Sequence, residues 1–195
     1  MKDLFIKRFQ YYKDLGDKTF SQLNDEQMFW QYNSESNSIA IIVKHIAGNM
    51  LSRWTNFLTE DGEKDWRNRD SEFVNSFSTK QEVIDFWERG WTCLFEALHQ
   101  IDDSNLYATI YIRKEPHSVI DGVFRQLSHY PYHLGQIIYI AKMLKNENWK
   151  SLSLPKNKSA DFNAEMNQKF QESLPQNSSP VCFQNDKEVR DEFKL

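Results

Sequence analysis

Apolar residues recur at helical spacing in four long stretches of this chain, and the breaks between them are polar and charged. Over 3–23, Phe5, Phe9, Tyr12 and Leu15 fall on one stripe that Phe20 and Leu23 extend, which predicts a first helix with Gly16 weakening its middle. A polar connection holding Trp30 and Tyr32 follows, and Ser38 is a good N-cap for a second helix over about 38–59. Ile39, Val43, Ile46, Met50, Trp54 and Phe57 take one broad side of that helix. Ser38, His45, Asn49, Ser52 and Asn56 take the other, with Arg53 at the polar edge. The charged run 61–70 reads as an exposed loop.

Ser78 with Gln81 and Thr79 with Glu82 both have capping-box spacing and open a third helix, whose apolar stripe from Val83 to Leu98 carries it to about His99. Residues 106–113 alternate β-branched and aromatic side chains and predict a short extended segment. A fourth helix starts near Ser118, three residues before Asp121, and runs to about Lys145. It is apolar around most of its circumference, the mark of a central element. Pro131 lies inside it and predicts a kink, because proline has no amide hydrogen and clashes with the preceding turn. Beyond a connector at 151–155, residues 160–172 predict one short helix, and the chain from 174 is polar.

Composition narrows the class. The 195 residues suit one domain, and 6 Trp, 8 Tyr and 14 Phe require a core that buries many rings. With 6 Gly and 5 Pro, turns are few, as in an all-α fold of long helices. A net charge of −4 gives no footprint for nucleic acid. Cys93 and Cys182 share no short spacing, so neither a disulfide framework nor a thiolate metal site is indicated. The N-terminus has no signal-like apolar region and no run is long enough to span a bilayer, so a cytoplasmic protein without membrane partners is expected.

The chemistry centres on His129 and His133. Four residues apart on a helix, their side chains stand about 40° apart on one face, where two imidazoles can share one metal ion. Gly122, Gln126, Gln136 and Ile140 project onto the same face. From the fourth helix alone, a water-facing stripe and a metal-binding pair are both open. His45 adds a second histidine-bearing polar stripe on the otherwise apolar second helix. Two such stripes turned inward make a polar pocket, and three neutral imidazoles leave coordination positions open, as in catalytic sites. His99, at a helix end, and His117, just before a cap, read as structural or surface residues.

His45 in mid-helix, followed much later by His129-x-x-x-His133 and Leu134-Gly135-Gln136, resembles the DinB-like (YfiT-like) superfamily. Asn37 to Met50, Asp61 to Lys64, Trp66 to Asp70, Arg125 to Tyr130 and Ser151 to Lys156 resemble a bacillary branch of unassigned function. The resemblance implies an up-and-down four-helix bundle over 1–172, followed by a polar, flexible tail at 173–195. It also implies a divalent metal (zinc, nickel or iron) held by His45, His129 and His133, and small-thiol chemistry. A substrate would border the metal at Asn49, Arg53, Gln126 and Gln136, with Arg67 or Arg69 clamping an anionic group or simply facing water. No general base stands out on the histidine face, which favours transfer of a low-molecular-weight thiol to small electrophiles. The alternatives are a metal-dependent hydrolase and a non-catalytic protein in which the ion only ties helices together. Assembly into a homodimer is left open.

Overall fold

A computed structural model describes residues 1–170. The chain divides into one compact unit at Met1–Leu152 and a second that begins at Ser153. The first unit is mostly helical. It holds α1 (Lys2–Phe20), the short α2 (Asp25–Phe29), α3 (Ile39–Trp54), α4 (Lys80–His99) and α5 (Val119–Lys145), with a hairpin of β1 (Thr109–Ile112) and β2 (Glu115–Ser118) before α5. The second unit holds α6 (Ser159–Phe170), while the expected tail at 173–195 and Cys182 lie outside the described residues. Among the described residues no helix is long and apolar enough to cross a membrane.

The four long helices form where the apolar stripes predict them, and each end has a local cause. Ser38 caps α3 through its hydroxyl on the Ile41 amide, and Thr79 with Glu82 closes a capping box on α4. α2 lies in the stretch the sequence reads as a plain connection. It is too short for periodicity to show, but Asn24 and Gln27 make a capping box around it. α3 stops at Trp54, short of the expected 59, because Thr55 turns extended and Asn56 takes a φ of 50°. Phe57 still reaches the core and packs edge-on against Trp54. α5 continues through Pro131 as one helix of 27 residues.

The hairpin and the loop before it support one another. Arg113 and Lys114 form its turn with φ of 57° and 66°, a conformation that favours Asn or Gly. Asp61 offsets the strain, accepting from the amides of Arg113 (2.8 Å) and Lys114 (2.7 Å). The Gly62 amide donates to the Tyr111 carbonyl at 2.8 Å. The charged run is the loop that its charges suggest, exposed at Asp65, Trp66 and 68–70, but its first part is folded back on the body with Gly62 and Lys64 buried.

α3 packs on both α4 and α5, and α1 on both as well. Phe9 of α1, Trp87 and Trp91 of α4 and Tyr130 of α5 meet tilted or edge-on in the middle of the core, at centroid separations of 5.2–6.4 Å. The Tyr130 hydroxyl accepts from Trp54 Nε1 and donates to Asn49 Oδ1, both at 3.1 Å. That relay joins the aromatic core to the polar stripe of α3.

α3 and α4 touch through Gly90. A Cβ there would stand 2.8 Å from the Ala47 Cα and 2.9 Å from its Cβ. Backbone cannot swing aside, so Gly90→Val should cost about 3 kcal/mol, more than the helix propensity it gains. Urea unfolding should show that loss. Because α3 carries His45, the variant should also bind metal less tightly.

Candidate metal centre

The polar stripe of α3 faces that of α5, and the three histidines meet there. Ring centroids lie 4.8 Å apart for His45–His133 and His129–His133, and 5.5 Å for His45–His129. One ring nitrogen from each falls within 4.8 Å of the others. His45 is buried and the two α5 histidines are half-buried.

An oxygen acceptor holds every Nδ1. Glu72 Oε2 takes His45 Nδ1 at 2.9 Å, Gln126 Oε1 takes His129 Nδ1 at 3.3 Å and Gln136 Oε1 takes His133 Nδ1 at 3.0 Å. Each Nδ1 thus carries the proton, and each Nε2 keeps its lone pair for the centre. His129 Nε2 and His133 Nε2 stand 3.1 Å apart. Two lone pairs at that distance repel unless a cation lies between them. Two nitrogens on one tetrahedral zinc ion stand about 3.3 Å apart. The donor set therefore fits a divalent ion bound by imidazole, and imidazole suits zinc, nickel and iron.

The electrostatics agree. Burial, then the neighbouring His133 and His45, push His129 down to about 3. Burial, with the neighbouring His45, also lowers His133 against the opposing bond from Gln136. Both imidazoles are neutral near pH 7, the state that a metal requires. Burial acts to raise Glu72, but the hydrogen bonds from His45 and Arg67 outweigh it and keep the carboxylate ionised. Arg67 grips Glu72 by two bonds, Nε to Oε1 at 2.8 Å and Nη2 to Oε2 at 2.9 Å, and reaches Glu63 with Nη1 at 3.3 Å. Gly48 leaves the space, since a Cβ there would stand 2.6 Å from Glu72 Oε1.

Glu72 is the residue that the sequence reading missed. It sits in a short 3-10 turn, Asp70–Phe73, that packs on α3. Phe73 stacks on His45 at 5.1 Å, and the Arg69 guanidinium lies 5.4 Å above Phe73. A metal-bound histidine usually leans on a carboxylate, so an acid was to be expected. Nothing in the spacing separates Glu72 from the other acids between α3 and α4.

Beside the triad opens a cavity of about 540 Å³, and Asn49, Arg53 and Gln126 line it with the three histidines. Gln136 borders a neighbouring cavity of about 390 Å³. His99 is exposed at the end of α4, and His117 bonds Asp121 at 2.6 Å, so neither joins the cluster.

A family model described as a protein of unknown function (DUF1572) matches residues 2–158. No curated protein matches the chain.

Three outcomes test the centre. Changing His45, His129 or His133 to Ala should remove most bound metal by elemental analysis, while His99→Ala and His117→Ala should not. Glu72→Gln should weaken metal affinity roughly 10–100-fold, because it slackens the hold on His45. The third outcome is a pH dependence. The His129 pKa is lower folded than unfolded, so the unfolded chain binds more protons between pH 6.5 and about 3. That stability is complete above pH 6.5 and is lost as pH falls through the window. Metal-free protein should unfold at lower urea concentration at pH 5 than at pH 7, and His129→Gln should flatten the slope.

Proposed function

The chain belongs to the DUF1572 family of the DinB/YfiT-like superfamily, and we propose that it is a divalent-metal-dependent enzyme transferring a low-molecular-weight thiol to small electrophiles. The observation that carries this reading is the wall of the cavity. Three histidine Nε2 atoms border a space large enough for a small molecule, and among the described residues no Asp or Glu lines it. The nearest buried carboxylate, Glu72, is held by Arg67 and His45 and is not free to take a proton from water. Hydrolysis with a positioned carboxylate base lacks its base, whereas thiol transfer needs none.

A divalent ion at this site would lower the pKa of a thiol and hold the sulfur near an electrophilic carbon. The chain's own residues do the rest. Glu72, Gln126 and Gln136 fix the histidine tautomers and aim the rings. Tyr130 fixes Asn49 at the cavity wall, where its amide nitrogen is available to a bound molecule. We further propose the up-and-down arrangement of α1, α3, α4 and α5, supported by the packing of α1 and of α3 on both α4 and α5.

In the reaction a thiol R–SH gives up its proton to solvent, a carbon–sulfur bond forms and the bond to the leaving group breaks. With chlorodinitrobenzene the leaving group is chloride, and nothing is oxidised or reduced. Calorimetry of metal-loaded protein with bacillithiol-type and glutathione-type thiols should give binding that metal-free protein lacks, with conjugation of chlorodinitrobenzene above the thiol-only rate. If neither thiol binds the loaded protein at millimolar concentration, thiol transfer is the wrong reaction. If chelation instead lowers the melting temperature and no ligand binds, the ion is a brace between α3 and α5.

A further inference from the structure

The same cavity carries a charge that the metal centre does not explain. Five arginines line it, Arg53, Arg67, Arg69, Arg113 and Arg125, against no acid among the described residues. They fall into two groups. Arg67 is paired with Glu72 and Glu63, and Arg113 with Glu63. Arg53, Arg69 and Arg125 have no carboxylate within ion-pair distance among the described residues.

Arg53 is the telling one. It is only 6% exposed, yet Nε and Nη1 have no hydrogen-bond partner among the described residues. Burial lowers its pKa, and the nearby Arg67 and Arg125 add to that against the opposing pull of Tyr130 and Glu63. A buried guanidinium with no direct ion pair and two unbonded nitrogens is among the costlier things a fold can keep. The surrounding structure nonetheless makes room for it. Gly62 passes over the guanidinium, and a Cβ at Gly62 would stand 2.6 Å from Nη1 and 2.9 Å from Cδ. Arg125 lies one turn before the triad on α5, and Arg69 is steadied on the Phe73 ring that stacks on His45.

We propose that this cavity is a receptor for the oxyanion group of the substrate, with Arg53 as the buried anchor and Arg125 and Arg69 as its outer partners. The ligand class is a small molecule bearing carboxylate or phosphate, with at least two negative charges to meet the three guanidinium groups that make no direct ion pair among the described residues. Carboxylate and phosphate share the planar or tetrahedral oxygen face that guanidinium recognises, and probes of both kinds separate them. The proposal rests on the reading of the cavity as a substrate site, and it does not require that the reaction be thiol transfer.

The test is calorimetric titration of the metal-loaded full chain with succinate, its neutral diamide and inorganic phosphate. Succinate or phosphate should bind, the diamide should not, and added salt should weaken binding. Arg53→Gln and, separately, Arg125→Gln should each weaken the anion about tenfold or more, because each removes a charge-assisted bond. Arg89→Gln, on α4 outside the cavity, should leave binding unchanged. Melting temperature gives a second readout. Removing an unpaired buried charge should leave Arg53→Gln at least as stable as the parent, whereas an arginine kept for structure would lower it. Were Arg53→Gln to unfold, Arg125→Gln still decides the matter. Equal anion affinity in the parent and both variants overturns the proposal, and so does binding that vanishes with chelation but ignores the arginines. Anion binding without thiol binding leaves the receptor standing and removes only the transferase.

Discussion

Everything at this site depends on what holds the far side of each imidazole. An unrestrained histidine can protonate either nitrogen and can turn its ring. Here each Nδ1 is committed to an oxygen, so three rings present one nitrogen each to a common point. α5 supplies two of those oxygens from its own periodicity. Gln126 lies three residues before His129 and Gln136 three after His133, both within reach along one helical face. His45 has no such neighbour on α3. Its acceptor comes from the segment between α3 and α4, and that segment has to be folded back to deliver it.

The folding back is a chain of polar contacts with little apolar burial behind it. Asp61 holds the hairpin turn, Gly62 joins Tyr111, and Ser52 of α3 bonds both the Gly62 carbonyl and the Lys64 amide. Arg67 then bridges Glu63 and Glu72. A buried ion pair of this kind adds little net stability, though breaking one partner away costs several kcal/mol, roughly 3–5. Its value is positional. The hairpin, the loop and the triad form one mechanically linked set, while the aromatic core beneath them reaches the cavity through Trp54, Tyr130 and Asn49.

Periodicity made the helices and the triad legible. His129 and His133 could be paired because a helix fixes their angle, and His45 could be added because its stripe broke an apolar pattern. The same reasoning put Gln126 and Gln136 on the histidine face but could not say what they touch. Both accept from imidazoles, and Gln126 also lines the cavity beside the triad. Glu72 was illegible because a loop has no period. The strand Glu115–Ser118 escaped because its residues are polar and include Pro116, and because the turn it needs is steadied by Asp61, some fifty positions earlier. α3 ends early where Thr55 turns extended and Asn56 takes a positive φ, a backbone break that the apolar stripe running on to Phe57 does not announce.

The committed Nδ1 atoms bear on the competition between protons and ions. Sites built on thiolates must shed a proton for each ligand, so their grip follows the acidity of the medium. His129 and His133 have none to shed at neutral pH, since each keeps its proton on the nitrogen turned away from the centre. Their share of ion uptake should therefore be nearly indifferent to modest pH changes around 7, and its heat should not vary with the ionisation enthalpy of the buffer. A drift of pH around neutrality leaves these two ligands equally ready throughout.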